Sequence, residues 1–299
     1  MYIYELCNFK KDIINMKVPE NLLAKIKEGI TKSGFPLEMK IGSVLNENDW
    51  RFSIGSLYKD FETDKIREID LSAEKTINGI SVHLEIACKK SLEKQLVLYA
   101  PKFQSKDYFY NNCLKILPTI FWGHDKQKKI SSKNIYAAFK DLDLFDSNVP
   151  ISKKLIVTKG NVNTEDNIKF LSDFNGLVKY SVITGSDGYI ETGYRIMYLY
   201  IMVFDGLIFS LTPSVEQNFD LTYIEYGNLI YEPNLKFSIN ENENLRKDLI
   251  ETSRLLKSYK TIIEVMTPEY FEKYLKKIEA TLINLDKKLL KNWGEDWPE

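Results

Sequence analysis

Three stretches of this sequence hold, in order, the side-chain types that hydrolysis of a phosphodiester requires. They are Glu38 in Gly34-Phe35-Pro36-Leu37-Glu38, Asp70 in Arg67-Glu68-Ile69-Asp70, and Lys89 in Leu84-Glu85-Ile86-Ala87-Cys88-Lys89-Lys90-Ser91. Attack on a phosphodiester adds negative charge to oxygens that are already anionic. A hard divalent cation held by carboxylates stabilises that charge and lowers the pKa of a bound water, and a lysine offsets the charge of the pentavalent transition state. Singly, each residue has a plainer role. An acid on a strand is usually a solvated face, Glu38 could serve the positive end of a helix, and Lys89-Lys90 could be a surface pair. The set gains weight from its order and from the elements that carry it.

Those elements follow from periodicity. Leu22, Leu23, Ile26 and Ile30 recur at helical spacing after Pro19 and stop at Gly34, which predicts a helix over about 19–33. A second helix begins near Pro36, with Leu37, Ile41, Val44 and Leu45 as its apolar stripe and Glu38 in its first turn. Strands are expected at about 50–58, 66–74 and 79–90, joined as a meander by FETDK and KTING. Strand alternation puts Ile69, Leu71 and Ala73 on one face and Glu68, Asp70 and Ser72 on the other. In the third strand Ile80, Val82, Leu84, Ile86 and Cys88 oppose Ser81, His83, Glu85, Ala87 and Lys89, so carboxylates and a lysine share one side of the sheet. KQLVLYAP reads as a fourth strand. Beyond it, 101–150 is less regular and holds the basic residues Lys126, Lys128, Lys129 and Lys133. KKLIVTK reads as a strand and TEDNIKFLSDFNGLVKY as a helix. YRIMYLYIMVF and LIFSL flank Asp205-Gly206, a dipeptide favoured in two-residue hairpins, although the first run is almost wholly apolar and so buried on both faces. LTYIEYGNLIYE, a helix near 244–257, the strand TIIEVM and an amphipathic helix over about 268–290 complete the chain. The expectation is one α/β domain over 1–299, a mixed central sheet flanked by helices, with its core at about 19–100 and additions over about 101–299.

In order and spacing the three stretches resemble the PD-(D/E)XK nucleases, a superfamily that includes restriction endonucleases; the resemblance covers roughly residues 19–100. It implies a restriction-endonuclease-like fold and a magnesium-dependent deoxyribonuclease, with manganese as an alternative ion, in a setting such as restriction or antiphage defence. The family's helix glutamate, second-strand aspartate and triplet lysine map onto Glu38, Asp70 and Lys89. The acid of the triplet maps onto Ala87. In this scheme Asp70 and an acid at 87 hold the metal, the Cys88 carbonyl adds an oxygen, Lys89 orients the attacking water, and Glu38 is an accessory acid. Alanine offers no ligand. In one explanation Glu85 substitutes from the same face, although it lies about 6.6 Å along the strand. In another, favoured because the rest of the signature is intact, alanine replaces a native acid, most simply a glutamate, in an inactivated variant; a naturally inactive copy is the third.

Composition sets the limits. With 299 residues, 44% hydrophobic and 13% aromatic, the chain can bury a large core. Forty-one Lys and Arg against forty-two Asp and Glu give a net charge of -1, which excludes a globally basic nucleic-acid binder. Any DNA footprint is local, with Lys90, Lys126, Lys128 and Lys129 as candidate phosphate contacts. Cys7, Cys88 and Cys113 lack metal-ligand spacing, and with two histidines a structural zinc site is not expected. No secretory signal or bilayer-length apolar run is evident, so a cytoplasmic protein without a membrane partner is expected. Trp293 and Trp297 near the end could dock a partner protein or fold back. A partner supplying sensing or helicase function is compatible with the scheme. The rival reading is a nuclease-like subunit that binds DNA or a partner without cutting.

Overall fold

Alternating strands joined by short turns build the half of the molecule that carries the three stretches. The structure is a computed structural model, and it describes residues 19–91, 93–100, 149–159, 161–162, 164–188, 195–216, 218–233 and 261–284. The chain divides into two units, 1–36 and 37–299. In the first, α1 (Glu20–Lys32) carries its apolar stripe as expected and buries none of it. At the junction begins α2 (Phe35–Glu47), whose Leu37, Ile41 and Leu45 are buried.

The second unit continues with β1 (Arg51–Lys59), β2 (Ile66–Ile77), β3 (Ile80–Lys90) and β4 (Gln95–Tyr99), then β5 (Ile151–Ser152), β6 (Lys154–Lys159) and β7 (Asn161–Val162). After these come α3 (Thr164–Gly188), β8 (Arg195–Asp205), β9 (Ile208–Ser214), β10 (Asn218–Tyr223), β11 (Tyr226–Tyr231), β12 (Thr261–Met266) and α4 (Pro268–Ile283). The expected meander forms: β1, β2 and β3 pair antiparallel in sequence. Asn78 and Gly79, at φ of 50° and 78°, supply the two left-handed residues that a two-residue hairpin needs between the paired Ile77 and Ile80.

The strands form two sheets, one ordered β1-β2-β3-β8-β12-β11-β5 and the other β10-β9-β4-β6-β7. Both mix directions, since β8 runs parallel to β3 and β12, and β4 runs parallel to β9. The architecture is therefore α/β, with two mixed sheets flanked by helices. Apolar side chains pack in two clusters. One joins Leu37, Ile41 and Leu45 of α2 to Phe271, Leu275 and Ile278 of α4, and the other gathers Phe170, Phe174 and Leu177 of α3 against β4 and β6. Met197, Leu199, Ile201 and Val203 of β8 enter the first, while Tyr200, Met202 and Phe204 enter the second, so this strand is buried on both faces as its composition requires.

One expectation is corrected at Asp205-Gly206, which does not turn a hairpin. Both edges of β8 are taken, by β3 and β12, so β9 has no place beside it and lies in the second sheet between β4 and β10. The glycine serves the sheet change. A Cβ at 206 would stand 2.6 Å from the Phe204 ring and 2.7 Å from the Ser91 carbonyl oxygen. The expected helix at 244–257, residues 285–290 of the last helix, Lys126, Lys128, Lys129 and Lys133, and Trp293 and Trp297 lie outside the described residues. Among the described residues no helix is long and apolar enough to cross a membrane.

Candidate active site

The candidate site begins where two paired strands part. Pairing of β2 with β3 ends at Leu71 and Ile86, while β2 stays paired to β1 as far as Ile66 and β3 to β8 as far as Lys90. Asp70 stands in the resulting fork. Its Oδ2 accepts the Cys88 backbone N–H at 2.7 Å, so a side chain satisfies a donor near the parting of the strands. The parting also corrects the expected alternation. Leu71 and Ala73 pack on the α2 side of the sheet, but Ile69, which lies beyond the last β2 residue paired with β3, packs in the α3-side cluster that also holds Ala87.

Around the fork, three elements deliver ionisable groups. Glu38 sits in the first turn of α2, half-buried. Burial raises its carboxyl above the ordinary range, the nearby Asp70 and Glu68 raise it further, and Lys89 opposes them. Lys89, one-third exposed, places Nζ 3.3 Å from Oδ2 of Asp173 on α3. Burial likewise raises Asp173, with Lys89 pulling it down and Asp70 pushing it up. Glu38, Asp70 and Lys89 thus lie in one electrostatic neighbourhood, together with Glu68 and Asp173. Sequence reasoning missed Asp173, whose one signal was a place beside Phe174 on the core-facing side of a helix. Lys90 is exposed at the end of β3.

Position 87 contributes no charge. Ala87 is 4% exposed and its methyl packs in the α3-side cluster. On the opposite face Cys88 is buried, which pushes its thiol well above the ordinary range. Among the described residues no three acid, histidine or cysteine side chains converge closely enough to hold a metal ion. The residues present therefore do not complete a magnesium centre: one carboxylate stands at the fork, already bonded to a backbone donor, and its expected partner position holds a methyl group.

Glu85 is not placed as a substitute. It pairs in register with Ser72, accepts that residue's hydroxyl, and is 1% exposed, and burial pushes its carboxyl up to about 8. This proton has a thermodynamic consequence. An unfolded glutamate ionises near 4.5, so between that pH and about 8 the folded chain binds the extra proton, and stability falls as pH rises through the window. Glu85→Gln removes that slope. Relative to the parent, it should gain about 3 kcal/mol on going from pH 5 to pH 8, measured as the difference between their urea-unfolding free energies at the two pH values. Equal slopes in the two proteins would show that Glu85 is not a buried neutral acid.

Comparison of the chain with protein-family models, with curated proteins and with solved structures gave no match, so the reading of this site rests on its own residues.

Proposed function

We propose that this chain is a DNA-acting protein of PD-(D/E)XK, restriction-endonuclease-like type whose magnesium centre is incomplete at position 87. The observation that carries the reading is the fork: Asp70 bonded to the Cys88 N–H, immediately before Lys89, with Glu38 of α2 in the same field. In this reading Asp70 and an acid at 87 are the metal ligands, with the Cys88 carbonyl as a further oxygen. Lys89 is the catalytic lysine and Glu38 the accessory acid. Lys90, with Lys126, Lys128 and Lys129, would contact phosphates. Because Ala87 supplies no ligand, no cleavage step is assigned to the sequence as it stands.

Ala87→Glu tests the reading. The variant should cut linear, supercoiled or single-stranded DNA with magnesium or manganese and not with chelator, whereas the unaltered chain should not cut. A second reading, a nuclease-like subunit that binds DNA or a partner without cutting, is favoured by the burial of Ala87 in the α3-side cluster. Ala87→Glu protein that folds and remains inert on every substrate would select it.

A further inference from the structure

A second polar site lies on the α3 side of the sheet, and it does not depend on position 87. A cavity of about 240 Å³ is lined by Glu85, Glu74, His83, Ser72, Tyr180 and Thr184 among others, with Arg51 also on its wall. Glu85 is its innermost group. One carboxyl oxygen meets the Ser72 hydroxyl, and the other, Oε2, is buried without a hydrogen-bond partner among the described residues. A buried carboxyl oxygen left without a partner is costly, because the protein has stripped its water and returned nothing.

The charges around the cavity select what would satisfy it. Among the described residues that line it, two acids, Glu74 and Glu85, face one cation, Arg51, whose side chain is 85% exposed and bonded to Glu74 at 2.9 Å. Burial holds the His83 imidazole neutral, and it meets the Ser81 hydroxyl and the Tyr198 ring. The inner wall therefore offers a carboxyl without a countercharge among the described residues, beside Tyr180, an aromatic whose ring face attracts cations. We propose that this cavity binds a small organic cation, an alkylammonium or alkylguanidinium, whose charged head pairs with Glu85 and whose short apolar stem lies against Tyr180 and Thr184 of α3. On binding, the proton held by Glu85 leaves to solvent and the ligand's N–H groups take its place.

The test compares butylguanidinium with butylurea, probes of matching shape that differ in charge, by calorimetric titration of the full chain at pH 8.5. Butylguanidinium should bind at least ~10-fold more tightly, a difference of about 1.4 kcal/mol. Glu85→Gln should abolish that preference. Thr184→Leu, which narrows the cavity from α3 and leaves Glu85 intact, should weaken binding of butylguanidinium. Thermal melts establish that both variants fold. The proposal fails if butylurea binds as well as butylguanidinium, if neither gives saturable binding at millimolar concentration, or if folded Glu85→Gln keeps the preference.

Discussion

Lys89→Ala, introduced into protein that already carries Ala87→Glu, should lower magnesium-dependent DNA cleavage by ~10²-fold or more and leave the unfolding midpoint almost unchanged. The two effects separate because Lys89 does little for the fold. Its ion pair to Asp173 joins side chains that are each about one-third exposed, and such pairs contribute about 0–1 kcal/mol. In the proposed reaction the same amine faces charge that develops only in the transition state, where a removed donor costs far more. The background substitution carries its own signature. Ala87 is buried in the α3-side cluster, so in chelator a glutamate there should destabilise the chain by about 1–3 kcal/mol, as other overpacked sites do. Magnesium at a hundred times its dissociation constant should return about 2.7 kcal/mol. Thermal melts with and without magnesium measure this directly. A destabilisation that magnesium does not relieve would mean that position 87 is not a ligand, whatever the cleavage assay reports.

How far the sequence could be read depended on how local the determining physics was. The helices at Glu20 and Phe35 and the three-stranded meander follow from periodicity and from Asn78-Gly79, all short-range signals. Face parity in β3 also followed, with Leu84, Ile86 and Cys88 on one side and Ala87 on the other. Parity in β2 did not, because Ile69 changes face where β2 is no longer paired with β3 although it stays paired with β1, and no alternation in one strand reports on its neighbours. Asp205-Gly206 misled for a related reason: its local preference for a hairpin lost to the tertiary fact that β8 has strands on both edges. Asp173 and the cavity at Glu85 were illegible, since both are made by α3 packing across a sheet far away in sequence.

Asp60→Ala should destabilise the chain by about 3–5 kcal/mol, because it strands a buried lysine. Asp60 is 1% exposed. Its carboxylate takes the Lys179 ammonium at 3.1 and 3.0 Å, Nε of Arg67 at 2.8 Å and the Glu62 backbone N–H at 2.9 Å. Burial works against its ionisation, but the Glu62 N–H, Lys179 and Arg67 outweigh burial and hold the carboxyl below the usual range. The lowered value fixes the sign. This stabilisation is complete above the unfolded carboxylate pKa near 3.8 and is lost as pH falls through the folded value. The alanine variant should therefore show its full deficit at pH 7 and converge on the parent in acid. With Asp60 gone, Lys179 keeps Glu62 at 2.9 Å, which leaves a buried ammonium with half its partners. Replacing both residues by apolar ones, Asp60→Leu with Lys179→Met, should recover most of the loss, since the damage comes from an uncompensated charge and not from a missing attraction. Urea unfolding of the single and double variants decides it: a single-variant cost under about 1 kcal/mol, or a double variant no better than the single, would show that the network is ordinary surface pairing. The network also ties the turn after β1 to α3, the helix that carries Asp173 and Tyr180. Its loss should therefore loosen the Lys89 ion pair and the wall of the Glu85 cavity together, and butylguanidinium binding by Asp60→Ala protein should weaken even where the variant remains folded.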